Sequence, residues 1–265
     1  MQILKRFLDF YIQSSIHVGL AVFCLVYITA FENELCKHIT YPCCVLFGTI
    51  LGYNFLKHVA VFRKGKFHTL KYYGIILVCL LSVFGFYFFF KRVLNGIKIQ
   101  LFIAGILVLV YPMLRKYGIL KMFFVSFVVA YLTAFVFINA LPTHKGIIAL
   151  EFIKRFVLIS ALMIPFEIYD SQHDDEALNT LPQKFGIKAA KKFGYFMLLL
   201  FVILEVLNFN MDANFKIQYL IIDIVIAIVI AIAVYFSSVK RNQYYTSFWV
   251  ESIPIFWLVL LILFK

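Results

Sequence analysis

Between Met163 and Gly186 the chain reads MIPFEIYDSQHDDEALNTLPQKFG, a run of carboxylates suited to binding a cation. Glu167, Asp170, Asp174, Asp175 and Glu176 are five of the thirteen acidic residues in the chain, and they follow directly on an apolar run. If the helix predicted from Ile147 continues through them, Glu167, Asp170 and Asp174 stand at i, i+3 and i+7 and share one face. Carboxylates crowded this way repel one another, and the end of a membrane helix adds a desolvation cost. A cation offsets both effects. Oxygen ligands suit a hard ion such as Mg²⁺, which is usually held by one or two carboxylates together with substrate phosphates. The competing reading is a solvated loop, and it is the expected one for Asp175 and Glu176.

The elements that must position these acids are apolar. The chain is 64% hydrophobic, carries 14% charged residues and has a mean hydropathy of +0.95. Soluble domains average about 45–50% apolar and about 25% charged residues, so the expected class is a polytopic, all-α membrane protein. Stretches long enough to cross a bilayer fall at about Ile12–Phe31, Tyr41–Phe62, Tyr72–Phe90, Gly96–Pro112, Ile119–Leu141 and Ile147–Tyr169. Three more follow at about Lys192–Phe209, Ile217–Ser238 and Ser247–Phe264. About nine transmembrane helices are predicted, in one domain over residues 1–265 with no separate soluble unit. The first is read as an uncleaved span, since its apolar run is too long for a signal peptide and lacks a small-residue cleavage site.

The net charge of +12 does not point to nucleic acid, because the basic residues are scattered between apolar runs. The amino end and every second loop hold sixteen of them, against seven on the other side. That bias predicts a multi-pass integral protein, of a bacterial inner membrane, with its amino end and acidic patch on the cytoplasmic side. Lys154 and Arg155 lie inside the sixth stretch, where snorkelling to the interface is the default expectation. Glu205, Asp223 and Glu251 are costly in lipid and are expected to face the bundle interior. Cys24, Cys36, Cys43, Cys44 and Cys79 show no metal-ligand spacing and read as small buried hydrophobes.

The second, fourth and sixth stretches each end on the predicted cytoplasmic side in a polar cluster. The second carries Asn54, Lys57 and His58, then Arg63, Lys64 and Lys66; the fourth carries Tyr111, Pro112, Arg115 and Lys116. The sixth carries the acidic patch followed by Thr180-Leu181-Pro182 and Gly186. Carboxylates facing a set of Lys and Arg suit a polyphosphate, held partly through a metal and partly by direct contact. A wall rich in Phe and Tyr suits a long apolar chain and can stabilise a developing carbocation through ring quadrupoles. Each cluster also has a simpler reading. Arg115, Lys116, Lys57, Arg63, Lys64 and Lys66 are topology signals in the first instance, and Asn54 could satisfy a helix end.

This pattern resembles the UbiA superfamily of intramembrane prenyltransferases. The second acidic motif of that superfamily, approximately DxxxD followed by a TLP-like segment and a Gly, is matched by Asp170, Asp174, Thr180-Leu181-Pro182 and Gly186, with a spacer about one residue shorter. Glu167 stands at an upstream position often held by Asp or Asn, and the YPxxKR-like element is matched by Tyr111, Pro112, Arg115 and Lys116. The first motif, approximately NxxxDxxxD, falls on Asn54, His58 and Phe62, so the Asn is kept and both aspartates are absent.

The resemblance implies nine helices around a central cavity and transfer of a prenyl group from a prenyl diphosphate to an aromatic or lipid acceptor. It further implies Mg²⁺ held by Asp170 and Asp174, with Arg115 and Lys116 neutralising the leaving group. Asn54, Lys57, His58, Tyr111 and Glu167 would then contact the substrate. The absent aspartates imply either fewer metal ions or lost catalysis. In the first case Lys57 and His58 would supply positive charge where a metal is missing. In the second the chain is an isoprenoid-binding or scaffold protein. A small transporter using Glu205, Asp223 and Glu251 is the remaining alternative.

Overall fold

Ile, Leu, Val and Phe in runs of this length leave the backbone one way to satisfy its polar groups in lipid, the helix. The computed structural model describes residues 2–33, 39–63, 70–136, 145–175, 178–211 and 215–264, and no strand occurs among them. Cys36, Lys37, Lys64, Lys66 and Glu176 lie outside these residues.

The chain begins with α1 (Gln2–Gln13), α2 (Ile16–Glu32), α3 (Thr40–Arg63), α4 (Leu70–Phe90) and α5 (Asn95–Leu114). Next is α6 (Gly118–Ala130), which continues as a π-helical turn over Tyr131–Phe135. Then come α7 (Lys145–Leu162), the short α8 (Ile164–Asp170) and α9 (Leu181–Phe185), the long α10 (Ile187–Met211) and α11 (Ile217–Phe236). A second π-helical segment, Tyr245–Val250, leads into α12 (Ile253–Leu263). A helix occupies each of the nine predicted apolar stretches. Six helices among the described residues are long and apolar enough to cross a membrane, or seven if the bent pair α1–α2 counts as one span. The protein is therefore an integral, multi-pass membrane protein, and by this measure its crossing helices number six or seven.

The amino end departs from the sequence expectation of one span starting near Ile12. A separate helix, α1, comes first and meets α2 at 57°. The corner is made at Ser14 and Ser15, with Ser15 in the left-handed region (φ 60°). The carbonyls at the end of α1 and in the corner after it lack a full set of intrahelical donors; the Ser15 N–H reaches Ile12 O (3.2 Å), and α3 supplies three side-chain partners. Asn54 Nδ2 donates to Ser14 O (2.7 Å), Lys57 Nζ to Ile12 O (3.4 Å), and His58 Nε2 lies 3.2 Å from Gln13 O. Ser15 Oγ donates back to Asn54 Oδ1 (3.2 Å).

Helices α2, α3, α5, α6, α7, α10, α11 and α12 pack in succession and close a ring, α12 returning to α2. The ring is thinnest where α3 meets α5, and α4 packs on the outside of α3. α2 is the shared wall, with Cys24, Leu25 and Ile28 in one core and Val22, Val26 and Ala30 in the other. α4 and α5 leave Leu77, Leu80, Phe84, Ile99 and Phe102 exposed, as lipid-facing helices do.

Lys154 and Arg155 do not snorkel. Both are buried, because an acid, a hydroxyl and an aromatic ring from three other helices meet them inside the bundle. Lys154 Nζ is 2.8 Å from Glu151 Oε1 and 2.8 Å from Glu205 Oε2, while Asn208 Nδ2 donates to Glu151 Oε1 (3.3 Å). Arg155 Nη2 donates to Thr29 Oγ1 (2.9 Å), and its guanidinium lies 4.8 Å over the Trp257 ring. Trp257 Nε1 in turn donates to Asp223 Oδ1 (3.0 Å). Glu205 and Asp223 thus face the interior as expected, with Lys154 and Trp257 as their partners.

Candidate functional site

The acidic residues are placed by a broken helix. α7 ends at Leu162, Pro165 stands in the first turn of α8, and α8 stops at Asp170. The expected continuous helix from Ile147 to Asp174 is therefore corrected. Proline suits a first helical turn but supplies no N–H for an i→i−4 bond in a running helix. Beyond Asp170, serine and histidine side chains compete for the backbone. Ser171 Oγ donates to Ile168 O (2.7 Å), and His173 Nδ1 lies 3.4 Å from Tyr169 O. One further turn remains, in which the Asp174 N–H donates to Asp170 O (2.8 Å). That turn keeps Asp174 near Asp170 and Glu167 although the regular helix has ended.

The segment after the turn holds it from outside. Thr180 caps α9, and Gln183 three residues later accepts the Thr180 N–H at Oε1 (2.9 Å), one arm of a capping box. The Gln183 amide then reaches back to the carbonyls of Ser171, Asp174 and Asp175, each at 3.3 Å. Gly186 ends α9 with φ 83°, a conformation that favours glycine. The opposite side of the loop rests on the start of α6. A Cβ on Gly118 would lie 2.0 Å from Leu178 O and 2.5 Å from Asn179 O, so only glycine fits there.

That close approach delivers Lys121. Its Nζ is 2.5 Å from Asp174 Oδ2 and 3.5 Å from Glu167 Oε1, and the residue is only 6% exposed. In the sequence Lys121 is only one of the sixteen basic residues counted on the predicted cytoplasmic side. The signal that could have found it is its place about one turn into a helix that follows Tyr111–Lys116. Glu167 is buried, and its Oε2 has no hydrogen-bond partner. Asp170, just past the sixth apolar stretch, is held above the usual aspartate range by burial; Lys121 opposes the shift, Asp174 adds to it and Arg115 opposes it.

Beside the acidic turn a cavity of about 430 Å³ opens at the thin side of the ring. α3 lines it with Tyr53, Leu56 and Lys57, α5 with Val108 and Tyr111, and Arg115 follows directly on α5. α6 contributes Phe124, Val125, Val128 and Val129. The Tyr111 and Phe124 rings stack with centroids 6.2 Å apart. The result is an apolar, partly aromatic slot with two cations on its wall, and Arg115 is near enough to Asp170 to act on its charge.

The predicted site residues divide accordingly. Glu167, Asp170 and Asp174 come together around Lys121, while Lys57, Tyr111 and Arg115 line the adjoining cavity. Asn54 and His58 hold the end of α1 and are not among the lining residues. Lys116 is exposed. Glu251 interacts electrostatically with Lys57. Among the described residues no three acidic, His or Cys side chains converge as a metal cage. Three carboxylates spread over about two turns, one of them with a buried unpaired oxygen, are nonetheless the donor chemistry that Mg²⁺ takes.

Over its whole length the chain superposes on a solved structure of digeranylgeranylglyceryl phosphate synthase in membranes. The TM-score is 0.59 and the identity 19%, and the match covers 100% of this chain and 99% of that one. No family model matches the chain, and no curated protein matches its sequence. The likeness shows a shared fold, the all-α membrane architecture that the resemblance to the UbiA superfamily implied.

Proposed function

We propose that this chain transfers a prenyl group from a prenyl diphosphate to a lipophilic or aromatic acceptor, the diphosphate leaving at the acidic turn. The observation that carries this reading is the juxtaposition of that turn with an apolar slot bearing Arg115 and Lys57. A diphosphate needs cations and an isoprenoid needs an apolar channel, and the two lie side by side. The synthase with the same fold is named for a product that carries geranylgeranyl chains, which supports prenyl transfer as the reaction class.

Asp170 and Asp174 would hold Mg²⁺, with Glu167 behind them. The ion, when bound, polarises phosphoryl oxygens as a Lewis acid. The chain's own residues do the rest. Arg115 and Lys57 neutralise charge on the diphosphate as the allylic C–O bond breaks and both its electrons pass to oxygen. Tyr53, Tyr111 and Phe124 present ring faces to the allylic cation and keep water from it. The acceptor then attacks the carbon and loses a proton. Tyr111 and Arg115, one turn apart at the end of α5, keep the slot aligned with the acids.

A non-catalytic isoprenoid-binding role is the second reading. The absence of aspartate at His58 and Phe62, with His58 engaged in holding α1, is the observation that favours it. Purified protein supplied with a series of prenyl diphosphates distinguishes the two. Mg²⁺-dependent diphosphate release is expected for the wild type, and Asp170→Asn and Asp174→Asn should each lose about 100-fold. Release that survives both substitutions rejects the site, while tight prenyl diphosphate binding without release supports the second reading.

A further inference from the structure

The acidic turn already contains a cation of its own. Lys121 Nζ lies between Asp174 Oδ2 (2.5 Å) and Glu167 Oε1 (3.5 Å), almost sealed from solvent. The other oxygen of Glu167 is buried and unpaired, so the ammonium does not exhaust the acceptors around it. Glu167, Asp170 and Asp174 bring three carboxylates to a turn that holds one buried ammonium, with Arg115 acting from the cavity side. Asp174 is paired with Lys121, and among the described residues no three acids converge to cage an ion. A side-chain ammonium already occupies the space between two of the carboxylates.

Lys121 is also well placed to leave. It belongs to α6, whose residues three and four positions further on, Phe124 and Val125, line the cavity. Side chains at that spacing share a helix face. A lysine ammonium is a point charge on a flexible four-carbon stem, able to exchange one anionic partner for another without moving the helix.

We propose that Lys121 is the resting counter-ion of the site and is exchanged when the ligands enter. Asp174, released from Lys121, would hold the divalent cation together with Asp170, Glu167 standing behind them, and the freed ammonium turns along α6 into the slot to bind an oxygen of the diphosphate. This rests on the prenyl diphosphate reading above. Its consequence is linkage. A cation alone must evict Lys121 and gains little. A diphosphate alone finds Lys121 engaged. Together each removes the obstacle to the other, and the coupling is reciprocal. The device also supplies a positive charge for the leaving group in a chain that lacks the first-motif aspartates.

The test is Mn²⁺ binding to the purified, metal-free full chain, followed by electron paramagnetic resonance with no diphosphate present. Mn²⁺ takes the same oxygen ligands as Mg²⁺. Lys121→Met should bind Mn²⁺ at least about 10-fold more tightly than the wild type, and Lys121→Arg, which keeps the charge, should stay near it. Equal or weaker binding by Lys121→Met overturns the exchange. A wild-type measurement guards against a variant that fails to fold. Labelling by an amine-reactive reagent, mapped to Lys121 by mass spectrometry, should rise several-fold when Mn²⁺ is added; unchanged labelling also overturns it. If prenyl diphosphate turnover fails while both Mn²⁺ results hold, the functional reading falls and the counter-ion stands.

Discussion

Asp170 lies in a partly buried turn beside two other carboxylates, and its ionisation opposes folding in the absence of a cation. The folded state keeps this proton to a higher pH than the unfolded chain does. Between the two values stability therefore falls as pH rises. Asp170→Asn should raise the melting temperature of metal-free protein at about pH 7 and have less effect at about pH 5. A stabilisation that does not change with pH would show that the carboxylate is not held in its neutral form. Metal binding needs the ionised form, so the acid limb of any Mg²⁺-dependent activity should lie above the range of an ordinary aspartate. Asn54 differs in kind. It holds the Ser14 carbonyl, and Asn54→Ala should cost about 1–3 kcal/mol of stability by leaving that carbonyl unpaired. The Mg²⁺ dependence of turnover should be unaltered, and a changed metal requirement would return Asn54 to the substrate site.

At the scale of elements, the acidic turn is held in a vice. Gln183 reaches three of its backbone carbonyls from α9, and Gly118 lets α6 start against its far side. Gln183→Ala should lower diphosphate release about 10–100-fold, the loss expected when a supporting residue is removed. Gln183→Glu should do no better, because a carboxylate would face three carbonyl oxygens. Wild-type rates in both would show that the turn holds itself. Gly118→Ala puts a methyl group 2.0 Å from a backbone oxygen that cannot rotate away. It should therefore shift the Leu178–Asn179 loop and weaken the Lys121–Asp174 pair. Hydrogen exchange over Ser171–Asp175 should rise, and an unchanged pattern would argue that the loop is not seated on α6.

For the whole molecule, the buried pairs around Lys154 fasten α7 to α10, with Arg155 reaching α2 and α12. A single ammonium serves Glu151 and Glu205, and neither acid can reach water. Lys154→Met should destabilise the bundle by about 3–5 kcal/mol, measured by thermal unfolding in detergent. Replacing Lys154, Glu151 and Glu205 together with apolar residues should recover much of that loss, because the desolvation cost is removed with the charges. A triple variant as unstable as the single one would mean that the network fixes the helix arrangement in some way beyond its charge balance.

Properties that depend on composition and on neighbours along the chain were legible before any fold was known. Apolar runs of bilayer length must be helical whatever packs beside them, and three acids within eight residues stay close whether the helix continues or turns. Thr180 and Gly186, read in the sequence only as part of the motif after the acids, bound the short α9 in the structure. Tertiary structure decided which charges meet. Lys121 is 53 positions from Asp174, and Lys154 is 51 from Glu205. No local pattern separates a lysine that anchors an interface from one that neutralises a buried carboxylate. Asn54 and His58 were legible as polar residues at the end of a stretch. Their use depended on a corner at Ser14–Ser15, where the chain turns by 57° between α1 and α2 and brings the Gln13 and Ser14 carbonyls to α3. A charge takes its role from the dielectric and the partners around it, and only the folded ring of helices sets those.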